Sequence, residues 1–263
     1  MKLTNILIVY TLPTTQGQKS TLKIVYHILK KYKINYKFAN RDRLNKTQFQ
    51  NKDLIIAVGG DGTFLRAAHF IDKQIMFGVN SDIKHKEGFF MKADKNDFEI
   101  KLKQIMKNKI KIRKLLRLES YINNKKIETL ALNEFFIGAR KSYHAAKYVV
   151  QIDGKKERQK SSGILITTPT GSYAWAKSCC NKTLPLNSKN YQLVVREPYE
   201  GRVFKNYRFK CAILNKNQKI TIASEMLDGI LIADSVSREY NLKNGKKALI
   251  KLSNNHLNAV WPG

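Results

Sequence analysis

Asp61 lies in the segment Val58-Gly59-Gly60-Asp61-Gly62-Thr63-Phe64-Leu65, where an apolar run gives way to three glycines and one acid. Glycines admit positive φ and let the backbone approach a ligand closely. The N–H groups at a helix start can hold phosphate oxygens. A lone carboxylate in a phosphate-receiving turn repels the phosphate unless it has a chemical task. Two tasks suit it: binding Mg²⁺, or accepting a proton from a hydroxyl nucleophile. The simpler alternative is an ordinary turn in which Asp61 caps the helix. No Gly-Lys-Ser/Thr follows, so this is not a Walker loop, and it is not a GxGxxG turn either.

Three later segments carry further polar groups beside glycine or aromatic residues. They are Glu87-Gly88-Phe89-Phe90, Ala131-Leu132-Asn133-Glu134-Phe135, and Thr168-Pro169-Thr170-Gly171-Ser172-Tyr173-Ala174-Trp175. Each has a plain reading: Asn133-Glu134 as a solvated strand edge, Thr168 to Ser172 as a simple turn, Trp175 as core. His69, on the helix after the glycine turn, reads as a packed or surface histidine.

The elements that position these groups follow from periodicity. Ile6 to Tyr10, Asp53 to Val58 and Gln74 to Val79 are continuous apolar runs of the kind buried in a parallel sheet. Between them, Leu22, Val25, Leu29 and Tyr32 recur at helical spacing, and Thr63 to Phe70 reads as a second helix. This predicts an open α/β sheet, in which ligands sit at the carboxyl ends of the strands. Phe98 to Met106 reads as a further helix. From about Ile110 the segments are short, rich in Ile, Val, Tyr and Thr, and divided by turns such as Asn123-Asn124, Asp153-Gly154 and Asn244-Gly245. The expected domains are therefore 1–95 (α/β), 96–247 (β-rich) and a C-terminal piece, 248–263. That piece is too short to stand alone, and it is expected to return to the first domain.

The chain has 263 residues, an apolar fraction of 43%, and 49 Lys+Arg against 20 Asp+Glu, a formal charge of +29. The composition is that of a globular protein, and no run approaches the ~20 apolar residues that cross a bilayer. No signal or presequence pattern precedes Ile6. Cys179, Cys180 and Cys211 do not make a disulfide framework, which points to a reducing cytoplasm. The charge suits polyanionic partners such as nucleotides, polyphosphate or nucleic acid. Lysines scattered over solvated faces explain it equally well.

Gly-Gly-Asp-Gly-Thr resembles the signature of a superfamily that contains NAD kinases, lipid kinases of the diacylglycerol and sphingosine type and, more distantly, phosphofructokinases. The segments at 78–80, 87–90, 131–135 and 168–175 resemble NAD kinase segments in family order. Within the family the chain resembles most the divergent branch that includes the mitochondrial-type NAD kinases, on Asn80-Ser81-Asp82 with Glu87-Gly88, Ser161-Ser162-Gly163 and Gly171-Ser172-Tyr173-Ala174-Trp175. Arg196-Glu197-Pro198 and Arg202-Val203-Phe204 add to this. The resemblance implies an α/β domain with a largely parallel sheet plus a β-rich domain, and transfer of the γ-phosphate of ATP to the 2′-hydroxyl of the adenosine ribose of NAD. It implies that Asp61 accepts the hydroxyl proton and that Gly60, Gly62 and Thr63 frame the phosphates. Phe89 would lie beside an adenine, and Asn133 and Glu134 would hydrogen-bond ribose hydroxyls. Thr170 and Ala174 would line the dinucleotide cleft, and Trp175 would offer a ring. Mg²⁺ would accompany ATP, with no metal held by the protein alone, and the assembly would be a homodimer or homotetramer.

Departures from the family pattern are informative. Ser162 replaces the acid that in the family touches the nicotinamide end, which leaves NAD against NADH open. Cys179-Cys180 replaces a Gly-Gly. Asp228-Gly229 resembles a late Asp-Gly turn but lacks the polar residue that follows it, so it takes no role. ATP and polyphosphate both remain as donors. The competing readings are a lipid kinase, which needs a membrane-facing apolar patch, and a basic nucleic-acid-binding protein with a vestigial site. Neither a membrane nor nucleic acid is the expected partner, because the Asn-Glu and Thr-Pro-Thr-Gly segments argue against the first and no RRM, KH or helix-turn-helix signature supports the second.

Overall fold

Ile6-Leu7-Ile8-Val9 and Leu54-Ile55-Ile56-Ala57 are apolar on both sides of the pleat, so both faces of their strands need cover, as in a helix-flanked parallel sheet. The computed structural model, which describes residues 3–262, provides it. In order come β1 (Asn5–Tyr10), α1 (Gln16–Lys31), β2 (Asn35–Asn40), the single-turn α2 (Lys46–Phe49), β3 (Leu54–Gly59), α3 (Asp61–Ala68), β4 (Ile75–Asn80), β5 (Met91–Ala93), α4 (Phe98–Met106) and β6 (Ile112–Leu115). The sheet order begins β2-β1-β3-β4, and all these pairings are parallel. β5 pairs with β4 at Gly78 and Val79. The helix expected from Thr63 begins two residues earlier, which puts Asp61 in its first turn after the extended N-cap Gly60. Val25, Leu29, Ile56, Phe77, Phe98 and Leu102 belong to one core. Phe77 and Phe98 stack within it at 5.9 Å. Truncating Phe98 to Ala would cost about 3–5 kcal/mol, from lost burial and the cavity left behind.

The remaining strands are antiparallel. They are β7 (Leu118–Ile122), β8 (Lys125–Lys126), β9 (Glu134–Ala139), β10 (Ala146–Ile152), β11 (Lys155–Ser161), β12 (Gly163–Thr167), β13 (Tyr191–Arg196), β14 (Cys211–Leu214), β15 (Ile220–Ser224), β16 (Gly229–Ala233), β17 (Tyr240–Asn241) and β18 (Lys247–Leu252). Helix α5 (Trp175–Cys180) interrupts them. They form two sheets, β11-β10-β15-β18-β7-β8 and β14-β13-β12-β9-β16-β17. The inward alternation of β10 and β15 supplies Tyr148, Val150, Ile220 and Ile222 to a core shared with Ile137, Ile164 and Leu193 of the other sheet. Asp153 and Gly154, at φ 48° and 77°, make the two-residue turn joining β10 to β11.

The chain divides into two compact units, one running to Lys114 and resuming at Leu257, the other Leu115–His256. α4 and the strand after it thus stay with the first unit, although the sequence rhythm changes near residue 95. β18 belongs to the second unit's sheet. β19 (Leu257–Val260) pairs in parallel with β4 through Asn258 and Ala259. Met1, Lys2 and Gly263, which the expected domains include, lie outside the described residues. No helix among the described residues is long and apolar enough to cross a membrane.

One expectation is corrected. Cys180 and Cys211 form a disulfide, with Cα atoms 6.2 Å apart. Adjacency argues against a 179–180 bond, but it says nothing about a partner 31 residues away. The β13–β14 pairing carries Cys211 to the last residue of α5.

Candidate active site

In the first unit, β3 ends at Gly59 and the chain turns through Gly60 into α3. Asp61 does not cap the helix. Its Oδ1 accepts from the N–H of Phe90 at 2.8 Å and its Oδ2 from that of Phe89 at 3.0 Å. A carboxylate oxygen can accept more than once, so both keep acceptor capacity. The Phe89-Phe90 segment is itself fixed. Gly88 sits at φ 70°, a conformation that favours glycine, and Phe90 stacks on Phe64 of α3 at 4.8 Å. Lys92 Nζ donates to the Phe89 carbonyl at 2.6 Å and lies 3.7 Å from the centre of the Trp261 ring. Burial holds the Lys92 ammonium below the usual lysine range, while the charge of Asp61 acts the other way. Thr63, expected to frame phosphates, is fully buried. Its Oγ1 accepts from Arg41 Nη1 at 3.4 Å. Gly60, Asp61, Gly62 and Phe89 are half-buried.

In the second unit, Asn133 and Glu134 lie at the start of β9, and both are buried. Three hydroxyl-bearing residues of the following turn brace this strand end. Thr167 Oγ1 donates to the Asn133 carbonyl at 3.0 Å, and the hydroxyls of Thr168 and Thr170 donate to the Leu132 carbonyl at 2.6 and 2.9 Å. Gly171 packs so closely on the Asn133 carbonyl that any side chain there would collide with it. Thr170, expected to line a cleft, is therefore buried with its hydroxyl committed to the brace. Ala174 is exposed, and Trp175 stacks on Phe136 at 5.3 Å with the Arg196 guanidinium 4.3 Å from its ring centre.

The acid that completes this cluster escaped the sequence reading. Asp234 accepts from the N–H groups of Leu132, Asn133 and Glu134 at 2.9, 2.7 and 3.1 Å. Asp228 instead lies at the surface, where its Oδ2 accepts from Arg140 Nε at 3.0 Å. The only local signal for Asp234 is an acid directly after the apolar strand Gly229–Ala233, and that does not name its partners. Glu134 has its pKa pushed up to about 8, first by burial and then by the charge of Asp234. It is neutral at pH 7 and can donate as well as accept. Asn133 Oδ1 and Glu134 Oε2 have no hydrogen-bond partner among the described residues. Most buried polar atoms are paired, with protein or with ordered water, so these two are open to a ligand or to water.

The family of ATP-NAD kinase N-terminal domains matches residues 5–110. The NAD kinase of Brucella suis biovar 1 is 30% identical over 194 residues, 71% of this chain and 70% of that one. The chain belongs to the NAD kinase family. A probable NADH kinase of rice (Oryza sativa subsp. japonica) is 27% identical over 210 residues, 70% of this chain but 63% of its own length. The fold is that of a solved Archaeoglobus fulgidus NAD kinase in complex with ATP, at TM-score 0.79 and 21% identity over 98% of this chain and 94% of that one. It is equally that of the yeast NADH kinase complexed with NADH, at TM-score 0.83 and 19% identity over 99% and 84%. Nothing found favours a lipid kinase or a nucleic-acid-binding protein. The NAD kinase fold accounts for the two architectures described above, a parallel α/β unit and an antiparallel one.

Proposed function

We propose that this chain transfers the γ-phosphate of ATP to the 2′-hydroxyl of the adenosine ribose of NAD, making NADP. The observation that carries the reading is Asp61, a carboxylate set between two glycines and aimed by two backbone N–H groups. The hydroxyl oxygen forms a bond to the γ-phosphorus, the bond from that phosphorus to the β–γ bridging oxygen breaks, and ADP leaves. The hydroxyl proton passes to Asp61. A carboxylate is a weak base for an alcohol, but phosphoryl transfer has a loose transition state and depends mostly on positioning and charge neutralisation. Asp61 therefore acts by orienting the hydroxyl and taking its proton late.

Gly60 and Gly62 would frame the phosphates. Asn133 and Glu134 would meet ribose hydroxyls with the Asn133 oxygen and the neutral Glu134 carboxyl, Phe89 would flank an adenine, and Ala174 and Trp175 would line the dinucleotide. Among the described residues, no group of three or more His, Cys, Asp or Glu could hold a metal ion. Mg²⁺ would accompany ATP and neutralise phosphate oxygens. A homodimer or homotetramer belongs to this reading, on the family's habit; a cytoplasmic location is proposed with it, although the Cys180–Cys211 bond removes the cysteine argument for a reducing compartment.

A second reading has its own observation. Ser162 stands where the family's acid touches the nicotinamide end, and its N–H donates to the Arg196 carbonyl at 3.0 Å. The Arg196 guanidinium lies over Trp175 and pairs with Glu197, Nη2 to Oε2 at 3.4 Å. An oxidised nicotinamide carries a positive charge and the reduced ring is neutral, so the loss of that acid at Ser162 removes an attraction for NAD⁺ and favours NADH.

The test is incubation of the purified protein with ATP, Mg²⁺ and either NAD⁺ or NADH, the product being read with an NADP-specific dehydrogenase. Activity that nearly vanishes in Asp61→Asn supports the reading. No product from any combination of NAD⁺ or NADH with ATP or polyphosphate sinks it.

A further inference from the structure

Two cations lean over the glycines on either side of Asp61. The aliphatic stem of Lys86 crosses Gly60, where an added Cβ would lie 3.0 Å from Lys86 Cδ. Arg41, in the short 3₁₀ turn that follows β2, covers Gly62, with Nη1 3.9 Å from the equivalent position there. Each cation is held in place. Lys86 Nζ donates to Ser81 Oγ at 3.0 Å, and Arg41 Nη1 donates to the buried Thr63 hydroxyl.

Burial holds the Lys86 ammonium below the usual lysine range; the charge of Asp82 opposes this, and that of Arg41 adds to it by a smaller amount. The Asp61 oxygens accept from the Phe89 and Phe90 amides, and no ion pair joins them to either cation among the described residues. Asp42 lies 3.6 Å from Arg41 Nε, but Arg66 shares it at 4.0 Å. Arg41 Nε is buried with no hydrogen-bond partner. An anion placed between the cations would satisfy that N–H and turn mutual repulsion into attraction.

We infer that Arg41 and Lys86 form a clamp on the phosphate chain of the phosphoryl donor, an inference that rests on the phosphoryl-transfer reading above. The chemistry selects a polyphosphate chain over a carboxylate or a single phosphate. The guanidinium offers a planar fork that pairs with two phosphate oxygens, the ammonium offers a point charge, and the two stand over separate glycines with Asp61 between them. The clamp acts on the donor alone, so its loss raises the KM for donor and leaves the KM for the dinucleotide unchanged.

The probe is inorganic tripolyphosphate, titrated calorimetrically into the full chain, with donor and acceptor KM values measured alongside. Arg41→Gln and Lys86→Gln are each expected to weaken tripolyphosphate binding roughly tenfold or more, the scale of a lost hydrogen bond to a charged group. Variants that melt with the wild type yet bind as tightly overturn the clamp, as does a wild-type protein that fails to bind the probe. Should a Gln variant unfold, Arg41→Lys decides, because it keeps the charge and loses the fork: unchanged affinity and donor KM overturn the inference. If the wild type makes no NADP but loses tripolyphosphate affinity in the variants, the clamp stands and the acceptor assignment falls.

Discussion

The ammonium of Lys92 lies 3.7 Å from the centre of the Trp261 ring while donating to the carbonyl of Phe89. The N–H of Phe89 in turn donates to Asp61. A residue near the chain's end therefore holds the peptide that aims the carboxylate. A half-buried cation–π contact of this kind is worth about 1–2 kcal/mol. Trp261→Leu and Lys92→Met should lower kcat several-fold with little change in either KM, because the carboxylate loses its aim while the ligand contacts remain. Lys92→Arg should restore part of the loss. Steady-state kinetics on the three variants checks this, and an equal fall in thermal stability with unchanged kcat would show a purely structural role.

Glu134 gives the protein a pH dependence of defined sign. Its pKa is raised in the folded state from 4.5 to about 8, so between those values the folded chain binds more protons than the unfolded one. Its contribution is complete below about pH 4.5, declines as pH rises through that window, and is lost above pH 8. Denaturation midpoints across pH 5 to 9 should therefore slope less in Glu134→Gln than in the wild type. Asp234→Asn removes the charge that helps raise this pKa and also loses an acceptor for the Leu132–Glu134 amides. It should destabilise the chain by about 2–3 kcal/mol and flatten the same slope.

Arg196 should set the balance between oxidised and reduced acceptor. Arg196→Gln removes the positive charge over Trp175 and keeps much of the side-chain length. Arg196 is paired with the exposed Glu197, so the ratio of kcat/KM for NAD⁺ to that for NADH is expected to rise only about two- to fivefold, the scale of a surface charge at ~0.5–1 kcal/mol. An unchanged ratio would place the nicotinamide elsewhere.

The Cys180–Cys211 bond predicts a single titratable thiol, that of Cys179, in protein denatured without reductant. Three thiols under those conditions would refute the bond. Closing a loop of 31 residues restricts the unfolded chain by roughly 3–4 kcal/mol. Reduction should accordingly lower the melting temperature by several degrees.

The α/β rhythm, the glycine-flanked Asp61 and the Asp153-Gly154 turn were all legible in the sequence. Each depends on residues a few positions apart. Apolar periodicity reports which faces need cover, and glycine reports where the backbone must bend or be approached, without reference to distant partners. The family order of the motifs added the chemistry.

What the tertiary structure decided is who meets whom across long stretches of chain. Phe89 and Phe90 reach Asp61 from 28 and 29 residues away, and Asp234 reaches Leu132 from 102. Trp261 closes on Lys92, and Cys211 finds Cys180. The same packing buries Thr63 and Thr170 and engages their hydroxyls with Arg41 and the Leu132 carbonyl. A hydrogen bond or charge pair between remote segments depends on the register and packing of whole elements, and it leaves no periodic trace near either residue. The sequence by itself thus singled out the carboxylate proposed to react, and only folding showed what holds it in line.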